Sequence, residues 1–302
     1  METLPNFLIV GAAKSGTTSL YCHLRQHPEI FLSANKEPKF FSSLTLKFPL
    51  RGPGDDFVEH HRMVKTWDEY RQLFADAGGA RAIGEASSDY LYHGRQAIPH
   101  IQRYLGDPRI VILLRNPVER AFSAWRHLRR DRREPESSFE NALAFETERR
   151  LLNWEFIWSY KDVGFYASQV RAYLENFSRV HVCLFDDFAT RPQDVLHAIY
   201  RFLEVDDSFE ADTSIIFNPG TADGGSWLGR RLTTTAGTGN TRTVTPRAGF
   251  RTGLGRRLVD FVLRNSSATM PPGVRTRLQT TYQEDIAQLS TLLGRDLSHW
   301  LR

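Results

Sequence analysis

A glycine-bounded loop near the N-terminus has the residue types and the spacing of a phosphate-binding site. Residues 7–20 read FLIVGAAKSGTTSL, an apolar run that leads into a loop and then into a predicted helix. Such a loop, which Gly11 and Gly16 allow to turn tightly, offers an anion backbone N–H groups and the positive end of the helix dipole. Four hydroxyl side chains add donors: Ser15, Thr17, Thr18 and Ser19. We therefore predict phosphate binding here rather than a purely structural turn.

The position of the lysine distinguishes this loop from a nucleoside triphosphate site. In the Walker A pattern a lysine follows the second glycine and reaches the outer phosphates. Here Thr17 follows Gly16, and the only lysine of the loop is Lys14. A triphosphate-processing enzyme also needs an acidic residue at the end of a second strand to hold magnesium, whereas the apolar run RIVILL ends in Arg115. These residues favour a phosphate-bearing ligand held without a metal, with a P-loop kinase as an alternative.

A second group of polar residues predicts another phosphate contact. Residues 109–114 are followed by RNPVERAFSAW. Pro117 suits the first position of a helix that Asn116 caps, and Ser123 lies seven residues after Asn116, on the same helix face. The guanidinium of Arg115 can make paired, charge-assisted hydrogen bonds. We therefore predict that Arg115 and Ser123 converge on one anion.

The elements that must position these residues alternate along the chain. Apolar, strand-like runs occur at residues 7–10, 81–87, 109–115 and 179–185. Helical patterns occur at residues 66–77, 95–106 and 165–177. This alternation predicts a single α/β domain, residues 1–302, with a central, mainly parallel sheet flanked by helices. The ligand crevice then lies at the carboxyl ends of the strands, where the loops after Val10 and Leu114 fall.

The C-terminal third begins with a segment of different composition. Residues 219–253 are rich in Gly and Thr and lack apolar periodicity, which predicts a mobile loop or lid. Residues 254–265 and 271–294 follow with helical patterns, and Pro271 and Pro272 open the second of these.

Composition limits the class of protein. The chain is 41% hydrophobic and 25% charged, and no apolar run approaches the roughly 18 residues that span a bilayer, so we expect no membrane contact of that kind. The N-terminus has no basic region before its apolar run, which argues against a secretory signal. Cys22 and Cys183 lie far apart in unlike surroundings, so we predict no disulfide and a cytoplasmic location. No Cys/His cluster has metal-ligand spacing, and we expect no metal.

The charge distribution adds little to this. A net charge of +4 indicates an anionic ligand only weakly, and we expect no nucleic-acid partner. The basic run at residues 126–134 is interpreted as a solvated helix end. A rim that attracts a charged substrate is the alternative interpretation.

These motifs together resemble one enzyme family. GAAKSGTTSL resembles the 5′-phosphosulfate loop, and RNPVERAFSAW the 3′-phosphate motif, of sulfotransferases that use 3′-phosphoadenylyl sulfate (PAPS). The similarity is greatest to the heparan-sulfate-type branch and its bacterial relatives. It covers most of the chain, extending through residues 27–41, 84–92, 164–170 and 292–301. The resemblance implies a P-loop-like sulfotransferase fold and transfer of a sulfuryl group from PAPS to an acceptor hydroxyl.

The resemblance also assigns roles to single residues. Lys14 is expected to contact the bridging oxygen of the donor and to stabilise charge on the departing nucleotide. In NKEPKFF, Glu37 occupies the position of the base that takes the acceptor proton, and Pro38 disfavours a helix at Glu37. Lys36 and Lys39 are expected to keep this carboxylate ionised and to contact sulfuryl oxygens. Because a cytosolic branch uses histidine, the alternative bases are His60 and His61.

The acceptor is implied less closely than the donor. Carbohydrate or glycolipid is the leading class by resemblance, and a small secondary metabolite is the alternative; a nucleotide-binding module without activity is a third possibility. Ala86 stands where heparan-type enzymes carry a lysine, and the cysteines of their C-terminal disulfide are absent. The segment starting at Phe217 is the expected counterpart of their cofactor-clasping loop. We expect residues 42–65 and 219–253 to build the acceptor pocket.

Overall fold

Five parallel strands form one sheet in the order β2-β3-β1-β4-β5. The computed structural model describes residues 3–214 and 269–302. The strands are β1 Phe7–Gly11, β2 Ile30–Leu32, β3 Ala82–Ala86, β4 Arg109–Leu114 and β5 Val180–Leu184. The predicted parallel α/β sheet is confirmed, and all four predicted strands are present. The three-residue β2 was not predicted, because so short a run has no distinct periodicity.

Helices cover both faces of this sheet. In the described residues they are α1 Thr17–Leu24, α2 Phe40–Ser43, α3 Asp55–His61, α4 Trp67–Gln72, α5 Gly94–Leu105, α6 Pro117–Arg130, α7 Phe139–Ala144, α8 Glu146–Leu151, α9 Tyr166–Asn176, α10 Phe185–Thr190, α11 Pro192–Leu203 and α12 Pro272–Leu293. Helix α4 begins at a capping box formed by Thr66 and Glu69, but it ends five residues before the predicted Ala77, where the chain continues as turns.

Alternate residues of each strand divide the core into two layers, because successive strand side chains point to opposite faces. Leu8 and Val10 of β1 pack into the larger layer, with α5, α6, α9 and α12. Phe7 and Ile9 pack into the smaller layer, with α1 and α11. Each of these four side chains is fully buried. Both faces of β1 are therefore covered, which fixes the strand that carries the glycine-bounded loop.

Strand β1 lies between β3 and β4, where the chain reverses its direction of travel across the sheet. Helix α1 follows β1, and α6 follows β4. The backbone N–H of Ala12 donates a 2.8 Å hydrogen bond to Leu113 O, which ties the loop after β1 to the end of β4. The two loops predicted to hold phosphates are therefore adjacent at the carboxyl edge of the sheet.

The C-terminal residues pack against this edge. Helix α12 has Pro272 at its first position, as predicted, and ends at Gly294 in the left-handed conformation. Asp285 of α12 accepts hydrogen bonds from the backbone N–H groups of Tyr166 and Ala167, at the start of α9. The predicted loop at residues 219–253, the segment starting at Phe217 and the predicted helix at 254–265 lie outside the described residues. None of the described helices is long and apolar enough to span a membrane.

Candidate functional site

The loop after β1 needs glycine at both of its ends. Gly11 has φ +155° and Gly16 has φ +96°, conformations that other residues rarely adopt. A Cβ atom at Gly11 would lie 2.6 Å from Leu91 Cβ, and one at Gly16 would lie 2.9 Å from the ring of Phe185. Helix α1 begins directly after Gly16. The loop therefore delivers the N-terminus of α1 to the edge of the sheet, as an anion site requires.

The predicted hydroxyl donors gather at this helix N-terminus. Ser15 and Thr17 are buried, whereas Thr18 and Ser19 are half-buried in the first turn of α1. Ser15 Oγ makes no hydrogen bond of ordinary geometry to a described residue. The four side chains thus differ in their exposure to solvent, and that of Ser15 is fully buried.

Several charged side chains influence Lys14. Its backbone is left-handed, with φ +68°. Burial and the positive charge of Arg130 lower the pKa of Lys14 to about 8, against the opposing effects of Asp131 and Glu37. The loop lysine, the end of α6 and Glu37 therefore share one site, and an anion bound there would stabilise the charged ammonium.

Arg115 lies against the same loop. Its Nη1 donates a 3.4 Å hydrogen bond to Lys14 O, and its guanidinium stacks 4.7 Å from the ring centroid of Phe185. Asn116 caps α6 through hydrogen bonds from two backbone N–H groups, and Pro117 occupies the first helical position, as predicted. Ser123 is half-buried on this helix. The structure thus brings Arg115 to the loop and places Ser123 two turns along α6.

Glu37 lies in a network of donors between the ends of β2 and β3. Its carboxylate lies 3.0 Å from Lys36 Nζ and 3.9 Å from Lys39 Nζ, and it accepts a 2.8 Å hydrogen bond from Ser88 Oγ. Burial would raise the pKa of Glu37, but the charges of the two lysines and these hydrogen bonds hold it well below its usual range. The carboxylate is therefore ionised, as predicted, but weakly basic in this state.

Lys39 is held inside the protein. Its Nζ forms a buried ion pair with Glu155 and lies 5.1 Å from the ring centroid of Phe156. Burial lowers the pKa of Lys39, but the charges of Glu155 and Asp89 outweigh this and raise it above its usual value. Lys39 is therefore fixed by contacts inside the protein. Lys36, with 21% of its side chain exposed, is the more accessible of the two lysines.

The alternative bases lie on the surface of α3. His60 is exposed and lies 3.9 Å from Glu59, and His61 is exposed, with Nδ1 3.2 Å from Phe57 O. Their contacts are with their own helix, so the geometry favours Glu37 over both histidines.

His127 is a site residue that the sequence reasoning missed. Burial and the charge of Lys14 lower the pKa of His127 to about 3, so its ring is neutral. Its Nδ1 lies 2.7 Å from Arg130 Nη2, a donor, which leaves the ring hydrogen on Nε2. Its position four residues after Ser123, on the same face of the predicted helix, could have identified it from the sequence. The run at residues 126–134 is thus not a uniformly solvated helix end, because Arg130 and Asp131 shift the pKa of Lys14 and the charge of Lys14 shifts that of His127.

Two buried carboxyl groups lie behind Glu37. Glu85 of β3 accepts hydrogen bonds from Ser87 Oγ at 2.8 Å and from Tyr70 Oη at 3.4 Å. Burial raises the pKa of Glu85 to about 8 and that of Asp89 to about 6. The charge of each group interacts with that of Glu37. Neither group was identified from the sequence.

A cavity of about 470 Å³ adjoins this network. Lys39 and Glu155 form part of its wall, together with Tyr92, Trp154 and Phe156. Its lining also includes three residues of the segment expected to build the acceptor pocket: Leu46, Leu50 and Met63. The cavity combines aromatic rings with many charged and polar side chains, among them Asp89, Arg150 and Asp162.

Known proteins resemble this chain in sequence and in fold. The family model described as "Sulfotransferase family" matches residues 5–210. Membrane-associated sulfotransferase kil1 of Dictyostelium discoideum is 31% identical over 150 residues, which are 48% of this chain and 28% of that protein. Bifunctional heparan sulfate N-deacetylase/N-sulfotransferase 4 of Mus musculus is 25% identical over 236 residues, covering 72% of this chain and 24% of that protein. The chain thus spans about a quarter of the length of these curated relatives.

A solved structure matches over the whole length. The crystal structure of a sulfotransferase from Alicyclobacillus acidocaldarius has a TM-score of 0.78 and 35% sequence identity, and covers 99% of this chain and 100% of that one. The resemblance seen in the sequence motifs is therefore confirmed. The chain belongs to the sulfotransferase family, and its relatives include heparan sulfate N-sulfotransferases, a carbohydrate sulfotransferase and a bacterial sulfotransferase.

Proposed function

We propose that this protein transfers a sulfuryl group from PAPS to an acceptor hydroxyl. The observation that carries the proposal is the meeting of Lys14, on the glycine-bounded loop, with the ionised Glu37 and with Arg115 at one edge of the sheet. An anion site beside a carboxylate suits a reaction in which a charged nucleotide leaves and an acceptor loses a proton.

The residues fit the two ends of the donor. Backbone N–H groups at the start of α1, with the hydroxyls of Thr17 and Thr18, suit the 5′-phosphosulfate. The guanidinium of Arg115 and the hydroxyl of Ser123 suit the 3′-phosphate. Arg115 stands where a kinase would need an acid for magnesium, so its charge favours a second phosphate over a metal.

In the proposed reaction the acceptor oxygen forms a bond to sulfur while the bond from sulfur to the bridging phosphate oxygen breaks. Lys14 donates to that bridging oxygen and stabilises the charge that develops on the departing adenosine 3′,5′-bisphosphate. Glu37 receives the acceptor proton. The products are a sulfate ester, adenosine 3′,5′-bisphosphate and the proton, which Glu37 then releases to solvent.

The low pKa of Glu37 indicates how its basicity is controlled. Lys36 is its partly exposed partner and lies beside the loop that would hold the phosphosulfate. A sulfuryl group that draws Lys36 Nζ away from Glu37 raises the pKa of this carboxylate, since an opposing charge is removed. Glu37 would thus become a stronger base when the donor is bound.

The acceptor class is proposed from the relatives. Several of them carry names that describe sulfation of carbohydrates, and the aromatic cavity beside Glu155 offers surface for such a ligand. We therefore propose a carbohydrate or glycolipid hydroxyl, with a small secondary metabolite as the alternative.

The decisive experiment is a screen of acceptor pools with isotopically labelled PAPS, read by mass shift. We expect a labelled sulfate ester from one carbohydrate or glycolipid pool, and no product with Lys14→Ala. Label in a metabolite pool alone would select the alternative acceptor. Failure of the purified protein to bind adenosine 3′,5′-bisphosphate would contradict the proposal itself.

A further inference from the structure

Arg120 is a buried cation with an incomplete set of partners. Its side chain is fully buried on α6. Its Nη2 donates to Tyr160 O, whereas Nε and Nη1 have no hydrogen-bond partner among the described residues. Burying an uncompensated charge is costly, so proteins usually pair or hydrogen bond such a group. Arg120 therefore requires an explanation that the packing of the described residues does not supply.

The other buried arginines of the described residues, unlike Arg120, each have a carboxylate partner. Arg149 makes two hydrogen bonds to the carboxylate of Glu134, of 2.7 and 2.8 Å. Arg109 forms an ion pair with Glu204. Arg120 forms no such pair with any carboxylate that the structure describes. It is thus an exception to a rule that this protein otherwise follows.

The position of Arg120 connects it to the phosphate loop. It lies three residues before Ser123 on the same face of α6. Its charge acts on the phenol of Tyr166 and on the guanidinium of Arg115. Ser15 lies close enough to lower the pKa of Tyr166, yet neither Ser15 Oγ nor Tyr166 Oη makes a hydrogen bond of ordinary geometry. Arg120, Tyr166 and Ser15 are thus three buried polar residues, each with a side-chain atom that lacks a hydrogen-bond partner among the described residues.

We infer that Arg120 is a positioning residue for the nucleotide, and that the phosphates of the bound donor balance its charge. This inference rests on the proposed nucleotide site. In a poorly solvated interior a cation attracts an anion over several ångströms, so Arg120 need not touch the phosphates to favour them. Ser15, one of these buried polar residues, directly follows Lys14 in the glycine-bounded loop.

The test is Arg120→Met, which keeps much of the volume and removes the charge. The single hydrogen bond to Tyr160 O offsets little of the cost of burying an unpaired cation, so the melting temperature of the free variant should equal or exceed that of the wild type. The Kd for adenosine 3′,5′-bisphosphate should rise by about tenfold or more, since a favourable long-range attraction is lost. Both quantities are measured on the full chain, by thermal unfolding and by calorimetric titration.

Arg149→Met is the matched control, because it removes a buried arginine that has a carboxylate partner. It should lower the melting temperature by leaving Glu134 unpaired, and it should leave the Kd for adenosine 3′,5′-bisphosphate unchanged. If Arg120→Met behaves like this control, with lower stability and an unchanged Kd, Arg120 is structural and the inference is overturned. A variant that loses stability and affinity together also overturns the claim that the charge is uncompensated.

Arg120→Lys keeps the charge and separates its effect from that of the guanidinium geometry. It should retain the affinity for adenosine 3′,5′-bisphosphate within about threefold. A loss as large as the one expected for Arg120→Met would assign the effect to guanidinium geometry and would contradict a role of charge. If the wild type itself fails to bind this nucleotide, the proposed function fails; if it binds and Arg120→Met binds equally, only the present inference fails.

Discussion

Ser88, just after β3, donates a 2.8 Å hydrogen bond to Glu37, just after β2. These residues are 51 positions apart in the chain and meet because the two strands are neighbours in a parallel sheet. Lys14 follows β1, which is the other neighbour of β3 in the sheet. The hydrogen bond from Ser88 uses one of the lone pairs that a base must offer, so donor and acceptor binding are expected to rearrange this network.

Glu37→Gln should lower kcat steeply and leave the Kd for adenosine 3′,5′-bisphosphate nearly unchanged. Glutamine keeps the size of the side chain and removes its basicity, and general-base catalysis typically contributes about a hundred- to ten-thousandfold. Steady-state kinetics with the identified acceptor and calorimetric titration measure the two quantities. Near-normal turnover would show that Glu37 is not the base, and His60 and His61 would be substituted next.

Nucleotide affinity should weaken as the pH rises through the pKa of Lys14, which is about 8 in the free protein. The ammonium is charged below this pH and attracts the anionic ligand, and deprotonation above it removes that attraction. Between pH 7 and pH 9 the Kd for adenosine 3′,5′-bisphosphate should rise about tenfold. Lys14→Met should bind more weakly and lose this dependence; an unchanged pH profile in that variant would assign the titration to another group.

Adenosine 3′,5′-bisphosphate should raise the melting temperature more than ATP with magnesium, because the proposed site offers contacts for two separated phosphates and not for a triphosphate. Arg115→Ala should weaken its binding roughly ten- to a hundredfold, through loss of a charge-assisted contact. Arg109→Ala, at the opposite end of β4, is the control and should leave the Kd unchanged. Equal or greater stabilisation by ATP with magnesium would favour the kinase alternative.

Activity should survive chelation of divalent metals. Arg115 occupies the strand end at which a magnesium-binding acid is expected in a triphosphate enzyme. Turnover is compared before and after dialysis against a chelator, with the labelled-sulfate assay. Loss of turnover that magnesium restores would contradict the proposed metal-independent transfer.

Glu85→Gln should stabilise the protein at neutral pH. Burial raises the pKa of Glu85 from 4.5 to about 8, so the unfolded chain releases this proton at a lower pH than the folded protein. The free energy of unfolding therefore falls as the pH rises from about 4.5 toward 8. The variant should be more stable than the wild type by up to about 4 kcal/mol at pH 8 and by less than about 1 kcal/mol at pH 5. Denaturant unfolding at both pH values measures this, and a gain that does not depend on pH would contradict the assignment.

The sequence by itself determined the local parts of this site. The glycines of the loop, the Asn116 cap, Pro117 and the helix opened by Pro272 were predicted because each depends on backbone conformation within a few residues. The alternation of strands and helices was enough to predict a parallel sheet and to bring the loop of Lys14 close to Arg115. The placement of Glu37 came from the resemblance to known enzymes rather than from spacing.

Only the tertiary structure decided which distant residues share a charge environment. The sequence did not show that Lys39 pairs with Glu155, that His127 lies beside Lys14, or that Arg120 lacks a carboxylate among its described neighbours. These relationships join residues far apart in the chain, and the electrostatic interactions depend on distance and on burial, neither of which a linear pattern contains. Two residues of the same type can therefore have different roles. Lys36 stays accessible, whereas Lys39, three positions later, is buried and forms an ion pair.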